Sequence, residues 1–137
     1  MTNSSNLIDS LEVYVLNNPD DVKPHWVSHF IVPTANELLI KIKNKNGNSG
    51  FGLATSYSDI SPIIKPFSNG LESFLIGQDP FCPEKIYESI SKLTDTRISS
   101  EKGWSKEALI RISAALDIAC WDLIGKSSNI PLYKLFG

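Results

Sequence analysis

The first half of the chain is patterned in twos. Leu11, Val13 and Val15 alternate with Glu12 and Tyr14, the period of a half-buried strand. Leu38, Ile40 and Ile42 repeat that pattern against Lys41 and Lys43, and Asn46-Gly47 then separates them from a second short run, "SGFGLAT". Both residues of an Asn-Gly pair tolerate positive φ, so the pair predicts a tight hairpin. The expected product is a small antiparallel sheet of three strands, one strand followed by a hairpin. Between them, "NNPDDVKPHWVSHFIVPTAN" carries three prolines and no steady period, which predicts a long loop with extended pieces.

The second half changes period. Ser61-Pro62 reads as a cap followed by proline at the first helical position, and Pro66 and Gly70 predict a bent or interrupted helix. "PEKIYESISKL" begins at Pro83, sets Glu84 at the positive end of the helix dipole and lines up Ile86, Ile90 and Leu93 on one face. "DTRISSEKGWSKEAL" reads as a polar connection in which Ser105 is a candidate N-cap for a long helix. That helix is apolar nearly all round: from Leu109 to Ile124 its apolar positions, Leu109, Ile110, Ile112, Leu116, Ile118, Trp121, Leu123 and Ile124 with several alanines and Cys120 between them, make more than one stripe. A surface helix needs an apolar face only about 100° wide, so this one requires cover on several sides. "KSSN" breaks the run, Pro131 opens a last turn, and Gly137 stands where a C-terminal glycine belongs. Strands followed by helices predict an α+β fold, a three-stranded antiparallel sheet followed by a small helical bundle. No internal repeat or low-complexity tract interrupts it.

Composition narrows the class. The 137 residues suit one domain, with 1–137 as its bounds. Hydrophobic residues at 42% and charged residues at 20% exclude wholesale disorder and a disulfide scaffold. A net charge of -2, with no Lys/Arg cluster among aromatics, argues against a nucleic-acid partner. No apolar run approaches the ~20 residues of a membrane span, and "MTNSSNLIDS" lacks the layout of a signal peptide, so a cytoplasmic chain with no membrane partner is expected. Cys82 and Cys120 lack metal-ligand spacing and are expected to be buried, reduced and inert.

The order of elements and the wording of the motifs then coincide with a known pattern. "AALDIACWDLIGKSSNIPLYKLFG" is similar to an Ala-rich helix, Asp-x-Ala-x-Trp-Asp, Gly-Lys, and a Pro-Leu-Tyr segment ending in Leu-Phe/Leu-Gly. "SGFGLA" after Gly47 resembles a hairpin ending in Gly-aromatic-Gly-Glu, with Leu53 where glutamate is usual. These are marks of the N-terminal capping domain of the enolase superfamily, in its mandelate racemase and muconate lactonizing enzyme branch, and the resemblance covers essentially the whole chain. It implies a C-terminal TIM-like barrel, absent from this sequence, that holds Mg²⁺ and the groups that take a proton from the carbon beside a substrate carboxylate. By that resemblance the greasy helix is a connector whose cover includes the barrel, and this chain by itself binds no cofactor and has no catalytic residue.

Several residues invite other readings. Asp117 and Asp122 are five apart on the long helix, so at about 100° per residue their side chains diverge by some 140° and cannot share an ion. Asp122 is instead placed to pair with Lys126 one turn on, and Asp117 to accept nearby hydrogen bonds. Lys41 and Lys43 mimic the superfamily's catalytic Lys-x-Lys, yet they precede the hairpin and alternate with apolar residues as solvent-facing positions do. His25 and His29 would share a face and suit zinc on a helix, but Pro24 and Pro33 frame a mostly non-helical segment that also holds Asp20, Asp21 and Trp26. The resemblance gives this loop, and the segment from about Phe51 to Asp59, a different role: two mobile loops that close over the barrel mouth and select a carboxylate-bearing substrate. His25, Trp26, His29 and Tyr57 are then the candidate substrate-contacting side chains. Anchoring of the loop on the sheet by Trp26 and Phe30 is the plainer alternative.

Three functions compete. The chain is the capping domain of a Mg²⁺-dependent racemase, epimerase, cycloisomerase or dehydratase; or a free-standing binding or oligomerisation module that self-associates through its greasy helix; or an autonomous metalloenzyme built on His25 and His29.

Overall fold

The computed structural model describes residues 4–17, 23–26, 28, 29, 31, 32 and 36–137. Strand β1 (Ile8–Leu16) is followed by a two-stranded ribbon, β2 (His25–Trp26) and β3 (Ile31–Val32), and then by β4 (Asn36–Asn44) and β5 (Ser49–Ser56). The main sheet has the order β1-β4-β5, antiparallel throughout, with the ribbon inserted in the connection between its first two strands. The expected three strands are present, and the long loop contains the extended pieces its sequence suggested. Gly47 alone takes positive φ in the hairpin, at +87°, a conformation glycine adopts without strain, while Asn46 does not.

Five helices follow: α1 (Ser61–Ser68), α2 (Pro83–Leu93), α3 (Arg97–Lys102), α4 (Lys106–Ser128) and the short α5 (Leu132–Leu135), with a 3-10 turn at Leu71–Phe74. The first of these differs from expectation at its start. Ser61 is already helical, and it is the Asp59 carboxylate that accepts from the Ser61 N–H at 3.0 Å and from its hydroxyl at 2.8 Å. Pro66 lies within α1, and Gly70, at φ +93°, separates it from the 3-10 turn. The polar stretch before α4 is not a plain connection. It holds α3, started by Thr96, whose side chain accepts from the Ser99 N–H, and stopped by Gly103 at φ +64°. Ser105 caps α4 as expected, its hydroxyl accepting from the Ala108 N–H at 3.1 Å.

The core lies between one face of the sheet and α4. Leu38, Ile40 and Ile42 of β4 are completely buried there, together with Leu109, Ile112, Leu116 and Leu123 of α4 and Ile86 and Ile90 of α2. Helix and strand approach closely because β5 carries only small side chains on its inner face: Gly50, Gly52, Ala54 and Ser56 are buried, while Phe51 and Leu53 face out. A Cβ built on Gly50 would lie 1.9 Å from the Ala119 carbonyl oxygen, and one on Gly52 equally close to that of Ala115. The Gly-x-Gly of the hairpin is therefore the seat of the helix backbone. Leu53, 43% exposed on the outer face, turns away from this contact.

Candidate functional site

The sheet register decides which loops are neighbours. Leu16 pairs with Glu37 and Asn36 pairs with Ser56, so the exit from β1, the entry to β4 and the end of β5 lie at one end of the sheet. The segment holding the ribbon and the segment holding Tyr57 both leave from that end. They are tied there by the Asn36 side chain, whose amide donates to the Ser58 carbonyl at 3.1 Å. The second loop is shorter than the expected Phe51 to Asp59, because the small residues that seat α4 keep β5 extended to Ser56. What remains, Tyr57 to Ile60, is a stitched turn in which the Ser56 hydroxyl donates to the Asp59 carbonyl at 3.1 Å. The hydrogen bonds from the Ser61 N–H and hydroxyl hold the Asp59 carboxyl below its usual range.

Of the candidate contact residues, Trp26 stands out at 75% exposure on β2, Tyr57 is 47% exposed, and His29 is exposed in the bend of the ribbon. His25 belongs to β2, and the direction of its side chain lies outside what is described, as do Asp20, Asp21 and Phe30. An exposed indole and phenol at one end of a rigid sheet are suited to stacking on, and donating hydrogen bonds to, a small organic molecule. The cleft beside Tyr57, formed by Ser56, Asp59, Ser105, Glu107 and Arg111, has a volume of only about 60 Å³. Sites that enclose small organic ligands run to several hundred Å³ (~300 Å³ or more), so this cleft by itself is too small to enclose one.

The decoys are accounted for by geometry. Lys41, half-buried, pairs with Glu12 at 3.1 Å, and the Tyr14 hydroxyl donates to the same carboxylate; the hydroxyl first and the lysine second hold the Glu12 carboxyl below its usual range. Lys43 is exposed. Asp122 pairs with Lys126 at 2.5 Å, as its spacing predicted. Asp117 departs from expectation: among the described residues its carboxylate has no hydrogen-bond donor, and it lies half-exposed near the Cys120 thiol. Burial first, then the charges of Asp117 and Asp79, push that thiol up to about 12. Cys82, expected to be buried, is only half-buried; both cysteines are free. Among the described residues no group of three or more His, Cys, Asp or Glu side chains could hold a metal ion. No described helix is long and apolar enough to cross a membrane.

Two contacts went unread in the sequence. Asp122 accepts from the Phe51 N–H at 2.9 Å, and Arg111, paired with Glu107 at 2.8 Å, donates to the Thr55 carbonyl at 2.5 Å. Both partners are backbone groups on the free edge of β5, so α4 clamps that edge with two side chains three turns apart. Their spacing of eleven puts them on one helix face, which is the signal that could have revealed them. The side of α4 turned away from the core carries apolar residues too: Ile110 and Ile118 are about half exposed, Ala114 lies between them, and half-buried Trp121 packs edge-on against Phe136, itself 62% exposed, with centroids 4.8 Å apart.

Comparison with known proteins gives this arrangement a family. Residues 10–137 match the model of the mandelate racemase / muconate lactonizing enzyme N-terminal domain. Among curated relatives, the D-gluconate/D-galactonate dehydratase of Picrophilus torridus is 32% identical over 130 residues, covering 95% of this chain and 30% of that protein. The N-succinyl-L-Arg/Lys racemase of Bacillus cereus is 25% identical, covering 95% and 33% respectively. Among solved structures, a racemase from Streptomyces coelicolor A3(2) with bound magnesium superposes with a TM-score of 0.76 at 26% identity, over 96% of this chain and 35% of that one. The chain thus spans about a third of the length of the relatives it matches. By motif, fold and sequence it belongs to the mandelate racemase / muconate lactonizing enzyme family, of which it corresponds to the N-terminal domain.

Proposed function

We propose that the chain is the substrate-capping, specificity-setting part of a magnesium-dependent acid racemase, epimerase, cycloisomerase or dehydratase of the cytoplasm, and that it has no activity alone. The observation that carries this reading is the exposed apolar stripe of α4, Ile110, Ala114 and Ile118, continued by half-buried Trp121 and exposed Phe136. A monomeric domain has no use for such a stripe on its longest helix, whereas a barrel docked on it would bury it. The docked barrel would supply magnesium and the proton-moving groups. This chain's own residues would close the site: Trp26, His29 and Tyr57 would pack on or hydrogen-bond a carboxylate-bearing substrate, and His25, by its place in β2, belongs to the same wall. Closure would exclude water from the reacting centre.

The test supplies the missing part. The chain is co-expressed with the portion of the Picrophilus torridus dehydratase that it does not cover, and the two are assayed for association and for magnesium-dependent dehydration of D-galactonate. Co-purification with activity is expected, and Trp26→Ala or Tyr57→Phe should raise KM several-fold with a smaller change in kcat. Turnover of an organic acid by the chain alone, with magnesium and no second protein, would overturn the reading. The alternative of a free-standing binding module predicts no association with the barrel and no effect of magnesium.

A further inference from the structure

The two edges of the sheet are treated differently. That of β5 is closed by Asp122 and Arg111, as described. That of β1 is closed only at its beginning, where the Ile8 N–H donates to the Gln78 carbonyl at 2.9 Å and its carbonyl accepts from the Gly77 N–H at 2.9 Å. Beyond a bulge between Ile8 and Ser10, β1 runs on to Leu16 with no strand on its far side among the described residues. The register tells which groups are left over. The Phe51 N–H points out of the sheet, so its β4 partner Lys41 directs its own backbone groups to β1, where it pairs with Glu12. Glu12 and Tyr14 therefore bond inward, and Leu11, Val13 and Val15 present N–H and C=O to the open edge. Edge strands are ordinarily blunted by charge, proline or a bulge at the exposed stretch. Here the stretch is Leu-Glu-Val-Tyr-Val-Leu, its one charge already paired with Lys41, and Tyr14, Val15 and Leu16 are each more than 40% exposed.

We infer that this edge joins two copies of the chain, β1 pairing antiparallel with β1 of a second copy about Val13 to give one continuous sheet of six strands. The stretch is self-complementary in that register. Val13 faces its own counterpart, Leu11 faces Val15, and the residues with outward backbone groups meet as hydrogen-bonded pairs. Glu12 comes opposite Tyr14, so no like charges oppose each other. A register shifted toward the start of β1 would collide with the Gly77 and Gln78 segment already bonded to Ile8. The surface is distinct from the α4 face assigned above to a barrel, and the inference does not depend on that assignment.

The test is sedimentation and light scattering of the full chain across a wide concentration range, with amide hydrogen exchange read at Leu11, Val13 and Val15. A dimer is expected, with those three amides more protected as concentration rises. Val15→Lys, at an exposed position, should weaken association at least about tenfold, as should Val13→Pro, which removes an outward N–H and spares the β4 ladder. Ile118→Lys on α4 should leave the dimer intact, and circular dichroism confirms that each variant is folded. A chain monomeric up to its solubility limit would overturn the inference. So would a dimer with unprotected edge amides, or one lost in Ile118→Lys and retained in Val15→Lys.

Discussion

A methyl group added at Gly52 would meet the Ala115 carbonyl at 1.9 Å, and backbone on both sides of that contact leaves little to give way. Gly52→Ala, and Gly50→Ala by the same contact with Ala119, should therefore destabilise the fold by about 3 kcal/mol or more, at the upper end of overpacking costs. Urea unfolding measures the loss; a Gly47→Ala control, with nothing within 4 Å of the added carbon, isolates the conformational cost of positive φ alone. Cys120 makes a second prediction. Its folded value of about 12 lies above the ordinary 9.0, so the folded state keeps its proton where the unfolded chain loses it. Stability from this group is thus full below pH 9 and falls between pH 9 and about pH 12, at up to ~1.4 kcal/mol per pH unit. The difference between wild type and Cys120→Ala in alkaline unfolding curves reads that loss directly, and native alkylation near neutral pH should label Cys82 and spare Cys120.

Between α4 and the edge of β5, stability rests on two side chains. Asp122→Ala leaves the Phe51 N–H without its acceptor and Lys126 without its partner, and should cost about 1–2 kcal/mol. Asp122→Asn keeps an acceptor for Phe51 and should recover much of it, since the partly exposed ion pair alone is worth about 1 kcal/mol or less. Thermal unfolding of the two variants separates these terms. These clamps show what kind of information the chain's pattern holds. The alternation in β1 and β4, the Asn-Gly turn and the Ser105 cap are local, and residues within one turn or one strand announce them. Arg111 and Asp122 mark no element; they act on backbone groups more than fifty residues earlier, a pairing that exists only once helix and sheet have met. The α3 helix escaped for another reason: with Ile98 the one apolar residue among its six there is no apolar period to read, and its evidence lies in the Thr96 cap and the Gly103 stop.

For the molecule as a whole, the exposed stripe of α4 should be neutral to the fold and decisive for docking. Ile118→Lys, at a side chain 53% exposed, should shift stability by no more than about 0.5 kcal/mol while abolishing association with a barrel, as measured by unfolding and by co-purification respectively. The candidate site rests on different information from the fold. Motif resemblance placed His25, Trp26, His29 and Tyr57 in two loops, and the strand register brings those loops to one end of the sheet; no periodicity could say so, because loop residues are positioned by the scaffold and not by their neighbours. The seat of α4 on Gly50 and Gly52 also sets an order of events. Strand and helix are separated by some sixty residues or more, a span whose closure is an entropic toll levied before any contact rewards it. Until the helix arrives, Leu38, Ile40 and Ile42 and the unclamped edge of β5 stand open to the surroundings, so a nascent chain stalled before α4 is a natural client for a chaperone.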